Sequence, residues 1–113
     1  MIKRKNDRVN EIKSNLRGGV GDLSFSYLFS SEELLGKARM FAEVTLKKGE
    51  SIGVHEHNEE GEIYIISKGT ATVTDNGEEQ TLLPGDAMWT TGGDAHSIEN
   101  RGDEPLVIFA IIL

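Results

Sequence analysis

Short apolar runs punctuated by glycine fill this chain from residue 22 to its last residue, and they are too brief for helices of ordinary length. Leu23–Phe29 alternates, with Leu23, Phe25 and Tyr27 on one face, and reads as a strand. Ser30–Gly36 has a capping serine, early acids and a closing glycine, which support one helical turn at most. Arg39–Leu46 is a longer strand with Met40, Ala42, Val44 and Leu46 on one face. Ile52–His57, Glu62–Ser67, Thr70–Thr74, Gln80–Leu83, Ala87–Thr90, His96–Glu99 and Leu106–Leu113 complete nine predicted strands. Asn76-Gly77, between Asp75 and Glu78, suits a type I′ hairpin because both residues tolerate positive φ. The last strand is apolar at nearly every position, as expected if both its faces are covered. Many short strands joined by tight turns predict a β-sandwich or small barrel, with no internal repeat.

At 113 residues the expectation is one domain, able to bury about two thirds of its unfolded surface without staples. With no cysteine there are no disulfides and no thiolate metal sites, which fits a reducing compartment. No apolar run approaches the ~20 residues of a membrane span, and Met1-Ile-Lys-Arg-Lys lacks the apolar stretch of a signal peptide, so a cytoplasmic address is expected. Residues 1–17 carry six bases and two acids, whereas the rest carries six bases and seventeen acids. An acidic body repels phosphate backbones, so neither nucleic acid nor a membrane is an expected partner. The division is a basic N-terminal extension over 1–21, read from charge as a solvated, partly ordered terminus, and a β-domain over 22–113.

The chain has three histidines and places all of them in two patterns. The first runs from Gly49 through His55-Glu56-His57 and Glu62 to Gly69, and the second from Gly85 through Thr91, Gly93 and His96 to Asn100. Two residues apart on a strand, His55 and His57 leave the same face. Glu62 opens the next strand after the Asn58–Gly61 reversal and reaches the same point if the two strands pair as a hairpin. His96 must approach from a separate strand and close the site from another side. Three imidazole nitrogens and one carboxylate oxygen suit one divalent transition ion (Mn, Fe, Ni, Co, Cu or Zn) and disfavour Ca²⁺. Four protein ligands on a six-coordinate ion leave two positions open, which argues for chemistry over a structural role. Glu56 alternates outward, and Glu59 and Glu60 sit in the turn, so Glu62 is the preferred carboxylate.

These two segments resemble the two signature motifs of the cupin superfamily. The first matches throughout; the second matches Gly85, Gly93, His96 and Asn100 but has Thr91 where the family usually has proline. Loss of a rigid proline should loosen that loop without removing a ligand. The resemblance covers roughly residues 38–113. It implies a single-domain jelly-roll β-barrel of the small metal-binding type, all-β, holding the metal inside through His55, His57, Glu62 and His96. It also implies a homodimer, with residues 1–21 available as a dimer-contacting strand.

Around the ion, Tyr64 shares strand parity with Glu62, either as a hydrogen-bond donor or general acid, or as an aromatic filling the barrel. One of Met88 and Trp89 should face the cavity; Met40, Val44 and Phe109 are further candidates for its lining. Arg39 could pair an anionic ligand. Asn100 is expected to shape the turn that follows it. The leading expectation is a small metalloenzyme (oxygenase, isomerase, decarboxylase or lyase) acting on a small polar organic molecule. The alternative is a non-catalytic module that binds or senses such a molecule. Hydrolysis by zinc hydroxide would need Glu62 to be uncommitted.

Overall fold

In a computed structural model covering residues 1–113, the alternation read from the sequence becomes the inner and outer faces of two antiparallel sheets. The strands are β1 (Val9–Ser14), β2 (Asp22–Tyr27), β3 (Met40–Leu46), β4 (Ser51–His57) and β5 (Glu62–Lys68). They continue as β6 (Ala71–Asp75), β7 (Glu78–Leu82), β8 (Ala87–Thr90), β9 (Asp94–Glu99) and β10 (Leu106–Ile112). One sheet has the order β1-β2-β3-β10-β5-β8 and the other β4-β9-β6-β7. Every pairing is antiparallel. This is the jelly-roll barrel that the resemblance implied, within the sandwich-or-barrel range that the strand pattern allowed.

The inner faces supply one core, in which Leu23 and Phe25 of β2, Val44 of β3, Ile66 of β5, Val73 of β6 and Ile98 of β9 are at most 2% exposed. β10 lies between β3 and β5, and its Leu106, Ile108, Ala110 and Ile112 are buried. Its outward residues Val107, Phe109 and Ile111 are only half-buried, so one face of this apolar strand is fully covered and not two. Asn76 and Gly77 take φ values of 50° and 82° in the β6–β7 turn, as the type I′ reading requires. In the Ser30 turn, the Glu33 N–H donates to Ser30 Oγ and the Ser30 N–H to Glu33 Oε1, a reciprocal cap on a single turn.

The basic leader is not a loose terminus. β1 pairs with β2 over six residue positions, from Val9 opposite Tyr27 to Ser14 opposite Asp22. Its side chains are almost all exposed, so main-chain hydrogen bonds hold it instead of apolar burial, and no hydrophobic alternation announced it. The chain then turns through Asn15, Arg17, Gly18 and Gly21, all at positive φ, and lies along β4. There the Ser51 N–H donates to the Val20 carbonyl at 2.9 Å and the Val20 N–H to Ser51 Oγ at 3.0 Å. No helix is long and apolar enough to cross a membrane.

Candidate metal centre

The centre begins with an irregularity in β4. Ile52 stands opposite Ile98 on β9 and His55 opposite His96, so three residue steps on β4 match two on β9. The extra residue is a β-bulge around Gly53-Val54. Without it, Ile52 and His55 would point to opposite faces. With it, Ile52 enters the core and His55 and His57 face the interior too, while Val54 and Glu56 are exposed. The bulge also turns the Gly53 carbonyl to accept from His55 Nδ1–H at 2.7 Å. That bond places the proton on Nδ1 and leaves the His55 Nε2 lone pair facing the barrel interior. On β9, His96 Nδ1 shares a 2.8 Å hydrogen bond with Thr90 Oγ1 from β8, which orients its Nε2 in the same way.

Glu62 arrives from the other side. β4 and β5 are consecutive but do not pair as a hairpin: they belong to different sheets. The three histidines lie on neighbouring strands of the four-stranded sheet, and Glu62 reaches them across the barrel. This reverses the expected arrangement, in which Glu62 sat beside the histidine pair and His96 came from elsewhere.

The four donors converge closely. Glu62 Oε1 is 3.0 Å from Nε2 of both His57 and His96 and 3.4 Å from that of His55. His96 Nε2 is 3.1 Å from His57 Nε2 and 3.0 Å from His55 Nε2. Ligands about 2.1 Å from one ion stand ~3.0 Å apart in an octahedron and ~3.4 Å apart in a tetrahedron, so this is the spacing of neighbouring ligands. All four side chains are at most 7% exposed. Buried imidazole lone pairs aimed at one another and at a carboxylate repel unless a cation lies among them. His55, His57, Glu62 and His96 therefore form a group that could hold a metal ion.

Electrostatics agree. Burial alone would raise the Glu62 pKa, but its contacts with His55 and His96 and the attraction between its carboxylate and the surrounding imidazoles in the metal-free site outweigh it and bring it to about 2. Burial lowers the His57 pKa, partly offset by Glu62, which favours the neutral, ligating imidazole. Glu62 touches all three histidines, as expected of a fourth ligand, and so is not the uncommitted carboxylate that hydrolysis by zinc hydroxide would need.

Tyr64 is almost fully buried and its ring stacks on His96, with centroids 4.6 Å apart and planes 5° from parallel. Burial first, and then the neighbouring Glu62 carboxylate, pushes its hydroxyl well above the ordinary tyrosine range. Met40 lines the cavity over the centre, whereas Val44 lies in the core and Phe109 is half-buried on the outer face. Met88 packs against the core and Trp89 is 55% exposed; neither lines the cavity. Asn100 shapes its turn: its amide donates to the carbonyls of Leu46 and Glu104, and its Oδ1 accepts from the Gly102 N–H. Thr91, in the place of the family proline, ties its loop by donating from Oγ1 to the Glu60 carbonyl at 3.1 Å.

The cavity measures about 100 Å³ and is lined by His55, His57, Glu62 and Tyr64 together with three cations, Lys13, Arg17 and Arg39. Arg39 was a sequence candidate; Lys13 and Arg17 were not, because they come from the leader. The available signal for the bulge was Gly53 inside a strand, and for the leader's approach the Gly18-Gly19 pair.

A three-imidazole, one-carboxylate centre inside a two-sheet antiparallel barrel defines a class of small β-barrel with a site fit for a divalent ion. Residues 42–112 match the family model described as a cupin domain, and the chain belongs to the cupin family. It is 40% identical over all 113 residues to a Thermotoga maritima protein named oxalate-binding protein, covering 93% of that relative. A solved Thermotoga maritima structure described as a predicted oxalate decarboxylase superposes with a TM-score of 0.95 at 40% identity, covering 100% of this chain and 98% of that one. KdgF from a Halomonas species shares the fold alone, with a TM-score of 0.73 at 18% identity over 99% of this chain and 92% of that one.

Proposed function

We propose that this protein captures a small carboxylate, with oxalate as the leading candidate, at a divalent metal held by His55, His57, Glu62 and His96. One observation carries the reading: the cavity over the centre is about 100 Å³ and sets His55, His57 and Glu62 in its wall beside Lys13, Arg17 and Arg39. Drug-sized ligands occupy pockets of roughly 300–1,000 Å³, so this one suits a molecule of few heavy atoms, and its cations favour an anion. The name of the Thermotoga maritima relative supports the choice of oxalate. The bound ion would supply Lewis acidity to an anionic oxygen at its remaining positions. The chain's own residues hold the imidazole tautomers, exclude bulk water and place positive charge around the cavity.

A second reading makes the protein an enzyme acting on that carboxylate, and Tyr64 is the observation that favours it. It is the cavity's buried titratable group outside the donor set, and with its pKa raised the hydroxyl stays protonated, able to donate and not to abstract. The proposal includes a homodimer that would cover the half-buried outer residues of β10, and the cytoplasmic location that a cysteine-free sequence fits.

Elemental analysis of tag-free protein should find about one ion per chain, as one ligand set supports one site. Calorimetry with oxalate should give saturable binding that disappears on chelation. Release of formate and carbon dioxide would select the enzyme. Metal-free protein in which His55→Ala changes nothing would sink the reading.

A further inference from the structure

We propose that Arg17 is the specificity-determining residue of this cavity: it pairs with a second carboxylate of the ligand and so selects a short dicarboxylate over a monocarboxylate. The inference rests on the carboxylate-binding reading above and adds a residue from outside the matched domain, which begins at residue 42.

Of the three cations around the cavity, Arg17 is the one without a partner. Arg39 Nε is bonded to Glu60 at 2.6 Å, and Lys13 lies 4.0 Å from Glu11 and over the Phe25 ring at 4.6 Å. Arg17 has no acidic group within 4.0 Å and no side-chain hydrogen bond. Yet it lines the donor cavity and also the adjoining depression of about 440 Å³, which Glu56, Glu59 and Glu60 line as well without reaching it, so it stands where both meet.

The backbone that brings it there is costly. Arg17 has φ 56°, a left-handed conformation that glycine or asparagine adopts far more readily than arginine. It sits between Leu16 and Gly18, and its carbonyl fits against Gly53 so tightly that a Cβ there would lie 2.0 Å from the oxygen. A Cβ on Gly19 would meet the Ser51 carbonyl at 2.2 Å. Two residues without side chains thus let the leader lie against β4, beside the bulge that orients His55. An exposed arginine at a position that favours glycine, with its guanidinium unpaired at the mouth of a metal-binding cavity, is placed for a ligand. Charge gives the ligand class: Glu62 is the one carboxylate lining the donor cavity, and Lys13 and Arg39 are offset by Glu11 and Glu60, so a divalent ion with Glu62 leaves one positive charge, Arg17 adds a second, and a dianion balances both. The planar guanidinium is suited to a carboxylate in two-point contact.

The test is calorimetry on the full, metal-loaded chain with oxalate and with formate, comparing wild type, Arg17→Gly, Arg17→Asn and Arg17→Lys. Metal content and melting temperature are measured alongside. Arg17→Gly and Arg17→Asn should keep the ion and melt no lower than wild type, because both accept positive φ. They should lose about tenfold or more in oxalate affinity, the scale of a charge-assisted pair, with formate little changed. Arg17→Lys should recover part of the loss. Oxalate affinity unchanged in both variants, or oxalate and formate weakened equally, overturns the inference while leaving the carboxylate-binding reading intact. If wild type binds neither anion, that reading fails and this inference with it.

Discussion

Gly53→Ala tests the arrangement at its most constrained point. An ideal Cβ at residue 53 would lie 2.0 Å from the Arg17 carbonyl oxygen and 2.9 Å from its carbon, and both are backbone atoms that cannot swing aside. Gly53 is not at positive φ, so alanine adds a steric load without left-handed strain. Overpacking of this kind costs about 1–3 kcal/mol. At ~2.1 cal/mol/K per residue, a chain of 113 residues unfolds with an entropy of ~0.24 kcal/mol/K, so each kcal/mol lowers the melting temperature by about 4 °C. The metal-free variant should therefore melt about 4–12 °C below wild type. Relief of the clash must move either the leader or the bulge. Moving the bulge disturbs the Gly53 carbonyl that accepts from His55 Nδ1, so metal affinity should also fall by ~10-fold or more, as for other partners that orient ligands. Thermal melts monitored by circular dichroism, in chelator, give the first quantity, and competition against a metal-binding dye gives the second. The metal-free comparison is essential because ligand binding itself raises the melting temperature. A variant matching wild type in both measurements would refute the packing of residues 15–21 on β4, and with it the placement of Arg17.

Three further outcomes are expected. Asn100→Ala leaves the Leu46 and Glu104 carbonyls and the Gly102 N–H without partners and should cost about 2–4 kcal/mol in denaturant unfolding, with metal bound per folded chain unchanged; a loss under 1 kcal/mol would contradict this. Acidification should weaken the metal-free fold in two stages. His57 has its pKa below 6.5 when folded, so the unfolded chain takes up its proton first as pH falls past 6.5; Glu62, at about 2 instead of 4.5, extends the loss from pH 4.5 downward. Melts from pH 7 to 3 follow this, and a stability that rises on acidification would have the wrong sign; full metal occupancy at pH 4 would separately contradict histidine ligation. Tyr64→Phe preserves the ring stacked on His96 and should retain the ion, whereas Tyr64→Leu should weaken metal binding ~3–10-fold, so equal dye-competition curves would remove the positioning role.

How much of this was legible in the sequence depended on whether the signal was local. Alternation marked β2, β3 and β5 because one face of each is buried and the other is not. Asn76-Gly77 marked its hairpin because the turn's φ values exclude most other residues. The two-residue spacing of His55 and His57 gave their common face, and that survives a bulge lying before both. β1 lacked a hydrophobic pattern because its stability comes from the backbone ladder with β2. Sheet membership was hidden for another reason. A strand buried on one face reads the same whichever sheet it joins, so nothing in the Asn58–Gly61 connection said whether it folds β5 beside β4 or carries it across the barrel.

That crossing changes what a bound ion would do to the fold. Were Glu62 beside the histidine pair, a metal could assemble on one hairpin and report little about the remainder of the chain. Instead, three donors belong to the four-stranded sheet and the fourth to the six-stranded sheet, so the cluster exists only when the two inner faces are closed on each other. An ion with these ligands would link the sheets, and its binding energy would add to the stability of the closed barrel. The leader adds a third dependence, because its carbonyl occupies the space left by Gly53 next to the carbonyl that fixes His55. Residues 15–21 are thus coupled to the donor cluster through a main-chain contact, although they lie outside the matched cupin segment. Separating the leader from the barrel would therefore disturb His55 before it disturbed the core.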